Sequence, residues 1–146
     1  MRRVVFVLAV CAAAVAGACA DFEAPKPVMP PDVLVATPSF SNDIQPIFNA
    51  RCATTSCHNL TTHQVGMVLA AGHSYDNIVN RQSVFRPSWK RIVPFKPDSS
   101  FLIKVLLADS ATQHPEITRM PLGRPPLTND QIQTIINWVA QGAQRN

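Results

Sequence analysis

The stretch RCATTSCHN, Arg51 to Asn59, places two cysteines and a histidine close together. Four residues separate Cys52 from Cys57, and His58 follows Cys57 directly. Such a set has three common uses: covalent attachment of a cofactor, a small disulfide loop, and a metal site with sulfur and imidazole ligands. The compartment of the protein and the segments around the motif decide among these uses.

The first 20 residues have the pattern of an export signal. Arg2 and Arg3 form a basic start, and an uncharged run, residues 4–18, follows them. This run is shorter than the roughly 20 residues that a transmembrane helix needs. We therefore expect residues 1–20 to direct export and not to remain as a membrane span.

Two processing sites compete at the end of this signal. Residues 18–20, Ala-Cys-Ala, fit ordinary signal peptidase, whereas residues 16–19, AGAC, resemble a bacterial lipobox in which Cys19 is lipidated and begins the mature chain. Five prolines in residues 21–38 predict an extended spacer, which suits a domain held by a lipid. We expect a periplasmic lipoprotein, with a soluble periplasmic protein as the alternative.

Export leaves a single pair of cysteines in the folded domain, which we place at residues 39–146. Cys11 lies inside the signal, and Cys19 is either removed or lipidated. Cys52 and Cys57 remain, and in an oxidising compartment a lone pair is usually bonded to something.

Apolar residues at helical spacing predict an all-α domain of three or four short helices with long loops. No segment alternates as a strand would. Thr128 and Gln131 form a capping box, and Gly142 marks the end of the last helix. The predicted helices cover four segments: 41–51, 74–80, 98–108 and 128–142. Ser41, Asn42 and Asp43 are all possible N-caps of the first helix, and Asp43 would place Pro46 in its first turn. The expected N-caps of the next two are Ser74 and Asp98.

A domain of this kind buries little apolar area. Small domains with short helices and long loops usually need a covalent staple or a large internal group. A Cys52–Cys57 disulfide would close only a short loop and would therefore remove little entropy from the unfolded chain. A porphyrin at the centre would supply the missing core.

The order of the three residues is the one that c-type haem attachment requires. Two thiols add to the two vinyl groups of haem, and the imidazole directly after the second Cys binds iron. The usual spacing is C-x-x-C-H, and this chain has C-x-x-x-x-C-H, two residues longer. A longer loop can still bridge the two vinyl groups by bulging outward.

Iron held by one imidazole needs a second axial ligand for electron transfer, and a thioether there raises the reduction potential. Two of the four methionines lie in the signal and the spacer, and Met67 has apolar neighbours that indicate packing. Met120 remains, in a loop that Pro121 stiffens. If Met120 does not bind iron, the alternative ligands are His63 and His73.

Three segments are similar to class I c-type cytochrome domains of exported bacterial proteins, including lipoproteins and planctomycete-type cytochromes: FSNDIQPIFNARCATTSCH, IVPFKPDSSFLIKVL and RMPLGRPPLTNDQIQTIINWVAQGA. The similarity covers about residues 39–143 and is most specific in the last segment. It implies a class I cytochrome c-like fold around one haem c, attached through thioethers at Cys52 and Cys57. It also implies His58 as the proximal iron ligand, Met120 as the distal ligand, and a crossing of the first and last helices.

Three other interpretations stay open. Cys52, Cys57, His58 and His63 have the right number of ligands for tetrahedral zinc, although the adjacent Cys57 and His58 would have difficulty reaching one ion. A structural lipoprotein with a Cys52–Cys57 disulfide would act through its surface. A haem protein with an open iron site could sense gas or reduce peroxide, and Met120 would then not hold the iron.

The distribution of charge suggests little about partners beyond one basic segment. The chain has 13 basic and 9 acidic residues, and six of the basic ones lie from Arg81 to Lys104. This segment is either a solvated loop surface or a docking face for an acidic redox partner protein. The sequence lacks the aromatic interleaving of nucleic-acid binders and any supported catalytic group, so we expect an electron carrier and not an enzyme.

Overall fold

The computed structural model describes residues 34–108 and 117–146. Helices are the only regular elements of these residues, with three isolated β-bridges and no strand among them, which fits the all-α class. The helices have the following bounds: α1 Gln45–Arg51, α2 Ser74–Ile78, α3 Phe101–Leu107 and α4 Asn129–Ala140. Three single turns accompany them: a π-helical turn at Phe40–Ile44 and 3-10 turns at Gln64–Gly66 and Pro97–Ser99.

The predicted export signal, residues 1–20, and the spacer up to residue 33 lie outside the described residues. The expectations about cleavage or lipidation at Cys19 therefore remain predictions. Within the two described parts of the chain, no helix is long and apolar enough to cross a bilayer.

Helix α4 begins and ends where its capping residues predict. The Thr128 hydroxyl accepts a hydrogen bond from the Gln131 amide, and the Gln131 side chain accepts one from the Thr128 amide. At the other end Gly142 has a φ of +99°, and its amide and the next one donate to the carbonyls of Val139 and Trp138. These bonds form a capping box and a Schellman motif, so both predicted ends of this helix are confirmed.

The first helical segment begins earlier than its predicted cap. The Ser39 hydroxyl accepts a hydrogen bond from the Asn42 amide, and the Asp43 carboxylate accepts one from the Ser39 amide in return. Asp43 is therefore the reciprocal partner of the cap and not the cap itself. Pro46 falls in the first turn of α1, where an amide N–H has no helical partner in any case.

The expected caps of α2 and α3 are also wrong. Ser74 is the first residue of α2, and its buried hydroxyl donates to the side chain of Gln45. Asp98 lies in a 3-10 turn, and α3 begins after that turn at Phe101 with Ser100 in the N-cap position. A serine can cap a helix locally or bond across the core, and here the tertiary partner takes the Ser74 hydroxyl.

The core joins the start of the domain to its last helix. The ring of Phe40 lies 5.2 Å from that of Trp138 and 5.2 Å from that of Tyr75, measured between centroids. Trp138 is 1% exposed, and its indole N–H donates to the Gln144 carbonyl. The first and last helical segments are therefore in direct contact, and aromatic rings fill the space between them.

Residues that we assigned to the spacer also bond to α4. The Val35 amide donates to the Thr134 hydroxyl at 3.1 Å, and the Asn137 side chain donates to the Val35 carbonyl at 3.0 Å. One turn further on, the Gln141 side chain donates to the Ala36 carbonyl. These contacts extend the ordered domain to residues just before its predicted start.

Candidate functional site

The two cysteines and the histidine lie in a tight loop at the end of α1. The Cys52 amide ends the helix by donating to the Phe48 carbonyl, and the Cys57 amide donates to the Thr54 carbonyl at 3.0 Å. The His58 amide then donates back to the Cys52 carbonyl at 3.1 Å. The four intervening residues therefore bulge out from the helix end and return, so the main chain of His58 lies next to that of Cys52.

The two cysteines are free thiols that differ in their surroundings. Burial raises the pKa of the Cys52 thiol to about 12, and the nearby Arg51 guanidinium offsets only a part of this effect. The Cys57 side chain adds a smaller upward contribution to the pKa of Cys52, as expected of two neighbouring thiols. A thiol with so high a pKa reacts slowly unless its surroundings change.

One nitrogen of the His58 ring is already bonded. Its Nδ1 lies 3.2 Å from the Gln64 carbonyl oxygen. A carbonyl only accepts, so Nδ1 must carry the proton and donate. The lone pair is therefore on Nε2, the nitrogen that is then left to bind a metal.

The surroundings of His58 favour its neutral form. Burial lowers the pKa of the imidazole, the carbonyls of Gln64 and Met67 raise it, and the Arg91 guanidinium lowers it again. Burial is the largest of these effects, and the pKa lies below its usual value. A neutral imidazole is the form that coordinates iron.

The loop of residues 63–67, which contains the Gln64 carbonyl bonded to His58, has an unusual backbone conformation. His63 and Val65 have φ values of +25° and +51°, in a region that non-glycine residues rarely adopt. For a β-branched residue such as Val65, this conformation costs about 1–2 kcal/mol. It persists only where the surrounding contacts fix it, and Arg91 donates to the carbonyls of Val65 and Gly66 at 3.1 Å each.

Arg91 is a part of the site that the sequence did not predict. It is one of six basic residues from Arg81 to Lys104, a segment that could be a solvated surface or a docking face. The structure agrees for Arg81, Lys90 and Lys96, which are exposed, but Arg91 is 7% exposed. No local pattern marks it, because the three carbonyls that it binds come from distant parts of the chain.

Met120 is half-buried and lies in a different segment of the chain. It packs against the same hydrophobic core as Cys52, and its amide donates to the Val105 carbonyl of α3 at 2.9 Å. The peptide bond between Met120 and Pro121 is cis. No hydrogen bond or ring contact of the described residues joins Met120 itself to His58.

The Met120 loop is nevertheless fixed to the cysteine loop through Arg51. The Arg51 guanidinium donates to the carbonyls of Pro125 and Pro126 at 3.0 and 2.9 Å. Arg51 immediately precedes Cys52 in the chain, so this contact connects the two segments that carry the predicted ligands. The predicted packing role of Met67 is confirmed, because it is 9% exposed in the core.

The histidines of the alternative ligand sets lie at the surface. His63 and His73 are both exposed. Among residues 34–108 and 117–146, no three side chains of His, Cys, Asp or Glu are grouped so that they could hold one metal ion. This applies to Cys52, Cys57 and His58 as well as to the four possible zinc ligands.

An apolar surface lies beside the His58 loop. A Cβ built on Gly66 would lie 3.9 Å from Val84, a side chain that is 63% exposed. The neighbouring Phe85 is 55% exposed, and its ring stacks on that of Phe101 in α3 at 6.4 Å. Val84 and Phe85 therefore present apolar side chains to solvent next to this loop.

These residues fit an attached haem by the chemistry of their donors. Cys52 and Cys57 supply two free thiols, and His58 supplies an imidazole with an available Nε2. The hydroxyl of Thr54, between the cysteines, is buried without a hydrogen-bond partner, which is unusual for a buried polar group.

No family model, no curated protein and no solved structure matches this chain.

Proposed function

We propose that this chain is an electron carrier with one haem c and a class I cytochrome c-like fold. Cys52 and Cys57 form the two thioethers, His58 is the proximal iron ligand, and Met120 is the distal one. One observation carries the proposal: His58 donates its Nδ1–H to the Gln64 carbonyl beside two free thiols. Bound haem would supply a one-electron couple of its iron.

His58 has the features of an oriented metal ligand. The hydrogen bond to Gln64 selects one tautomer, and burial keeps the ring neutral. A carbonyl that accepts from the second nitrogen also makes the first nitrogen more basic. Coordination by His58 therefore requires no change of protonation.

The proposal for Met120 depends on the connection through Arg51. Two hydrogen bonds hold residues 125 and 126 against the end of α1, where Cys52 begins the cysteine loop. Met120 is anchored on its other side by the bond from its amide to Val105. Both ends of the Met120 loop are thus fixed, which limits the movement of the thioether.

The apolar side chains next to the site would cover a porphyrin. Val84 and Phe85 lie beside the loop of Gly66, and Phe101 supports Phe85 from α3. Burying these exposed surfaces under a large planar group would add apolar contact to the core that the helices already form. The bulged loop of residues 53–56 would accommodate the longer spacing of the cysteines.

We further propose a periplasmic location, with a lipid on Cys19 as the membrane attachment. Arg81, Lys90 and Lys96 are exposed on one segment and would attract acidic redox partner proteins. The role is electron transfer between such partners and not catalysis. The basic surface would increase the rate of encounter more than the strength of binding.

The test is expression of the full chain in a host that matures c-type cytochromes. The mass of the purified chain should increase by one haem, and the haem should remain with the chain on a denaturing gel. The reduced pyridine spectrum should be that of a haem with two thioethers. Cys52→Ala and Cys57→Ala should each leave one thioether and shift this spectrum, and the double variant should carry no covalent haem.

Ser56→Ala is the matched control, because it changes the same loop but keeps both thiols and the His58 imidazole. Its haem content should equal that of the natural chain. A mature chain that weighs no more than its amino acids and any lipid would contradict the proposal. A mass lower by two hydrogens would instead indicate a Cys52–Cys57 disulfide.

A further inference from the structure

The side chain of Arg91 is buried and bonded to main-chain oxygens alone. Its guanidinium donates to the carbonyls of Asn77 at 2.8 Å and of Val65 and Gly66 at 3.1 Å each. No carboxylate in the described parts of the chain lies within ion-pair distance of it. A buried cation is costly unless its N–H groups find acceptors, and three carbonyls supply them here.

The main chain of Arg91 is fixed as firmly as its side chain. Its amide donates to the Arg81 carbonyl at 2.7 Å, and its carbonyl accepts from the Leu102 amide at 2.9 Å. The guanidinium therefore extends from an anchored point toward the loop of residues 63–67. Its planar arrangement of N–H donors can bond to several carbonyls at once.

Arg91 binds the same loop, residues 63–67, whose Gln64 carbonyl accepts a hydrogen bond from His58. The Gln64 carbonyl accepts a hydrogen bond from His58 Nδ1. The next residue is Val65, and its carbonyl accepts one from Arg91. Val65 has left-handed backbone angles, φ +51° and ψ +33°. The Gln64 carbonyl also accepts from the Met67 amide at 3.1 Å. Left-handed angles are unfavourable for valine, so we expect Val65 and the Gln64 carbonyl to turn when the bonds from Arg91 are lost.

We propose that Arg91 is a positioning residue that holds the Gln64 carbonyl in place and thereby fixes His58 in its Nδ1–H tautomer. Any effect of Arg91 on the iron rests on the proposed haem function. The effect on the tautomer of His58 involves only Arg91, the loop of residues 63–67 and the imidazole. It can therefore be measured in the chain without haem.

The first measurement uses the full haem-free chain labelled with nitrogen-15. At about pH 8, above the ordinary histidine pKa of about 6.5, the two ring nitrogens of a neutral imidazole give separate NMR signals that identify the tautomer. His58 should be mainly the Nδ1–H form in the natural chain. A natural chain with His58 mainly in the Nε2–H form overturns the inference before any variant is made.

Two variants then test Arg91 against a matched control. Arg91→Met should lower the ratio of Nδ1–H to Nε2–H by roughly two- to tenfold, the change expected from losing one hydrogen bond. Arg91→Lys should give an intermediate ratio, since an ammonium reaches fewer of the carbonyls. Arg81→Met removes an exposed arginine that donates to the Asp76 carbonyl in the same region, and it should leave the ratio unchanged.

The second measurement uses the haem-loaded chain. The comparison uses Arg91→Lys and Arg81→Lys, because each keeps its positive charge. A looser bond at Nδ1 makes the imidazole a weaker electron donor, so the midpoint potential should rise in Arg91→Lys and stay constant in Arg81→Lys. A loss of stability alone would not move the tautomer ratio of the folded chain. If Arg91→Met does not fold, the natural chain and Arg91→Lys still decide the question.

The two failures can be told apart. If no haem attaches but the tautomer ratio changes as expected, the proposed function fails and the role of Arg91 stands. If haem attaches and the ratio is the same in Arg91→Met and Arg81→Met, the role of Arg91 is refuted and the proposed function stands.

Discussion

The guanidinium of Arg51 donates a hydrogen bond of 2.9 Å to the carbonyl oxygen of Pro126. A second bond, of 3.0 Å, reaches the neighbouring Pro125 carbonyl. These contacts join the residue before Cys52 to the segment that follows Met120, although the two are far apart in the chain. The candidate site therefore depends on a tertiary contact that contains none of its predicted ligands.

Replacing Arg51 should loosen this connection. Arg51→Met removes both hydrogen bonds and should lower the free energy of unfolding by about 1–2 kcal/mol, because hydrogen bonds from a charged donor are worth more than neutral ones. Urea denaturation measures this change. The control is Arg124→Met, which removes an exposed arginine from the same loop and should cost less than about 0.5 kcal/mol. Equal stability of the two variants would show that the Arg51 contact is unimportant.

The two methionines of the domain should behave differently in the haem-loaded chain. Met120→Ala should abolish the absorption band at the red end of the oxidised spectrum that reports sulfur bound to iron. Met67→Ala should keep that band but lower the free energy of unfolding by about 2–5 kcal/mol, because Met67 is buried in the core. If the band persists in Met120→Ala, another residue holds the iron. A high-spin spectrum of the natural chain would indicate an open site instead.

The two thiols of the haem-free chain should differ in reactivity. Burial raises the pKa of Cys52 to about 12, so at pH 8 only about one part in 10⁴ of this thiol is the reactive thiolate. Iodoacetamide should therefore modify Cys52 more slowly than Cys57, and fragmentation mass spectrometry locates the label. The rate at Cys52 should keep rising with pH toward about 12, because its thiolate fraction keeps rising. Modification of Cys52 as fast as Cys57 at pH 8 would show that its thiol is not desolvated.

Two glycines separate the cost of backbone conformation from the cost of a steric clash. Gly72 and Gly142 have φ values of +81° and +99°, but a Cβ would meet nothing within 4 Å at Gly72 and would lie 2.5 Å from the Phe95 ring at Gly142. Gly72→Ala should cost about 1 kcal/mol for the backbone alone. Gly142→Ala should cost more, because the ring must also move. Thermal unfolding measures both, and equal costs would mean that Phe95 moves away freely.

The last helix shows how much of the fold is predictable from sequence. Thr128, Gln131 and Gly142 act within one or two turns, so their roles can be recognised without knowing the rest of the molecule. The caps of the earlier helices were not predictable in this way. Ser74 has the right residue type for a cap, but its hydroxyl bonds to Gln45 in another helix.

The candidate site likewise has a part that the sequence predicts and a part that only the fold reveals. Cys52, Cys57 and His58 are neighbours in the chain, so their proximity follows from the sequence. Arg91 resembles any other member of a basic segment, and only its burial against three carbonyls distinguishes it.

The sequence by itself determined the helical class, the ends of α4 and the grouping of two thiols with an imidazole. These features depend on interactions between residues a few positions apart, which chain geometry enforces. The tertiary structure alone decided which nitrogen of His58 carries the proton, which arginine holds the loop of residues 63–67, and how Arg51 connects the cysteine loop to the Met120 segment. Those contacts depend on distant carbonyl groups, which every residue possesses and which no side-chain pattern can therefore reveal.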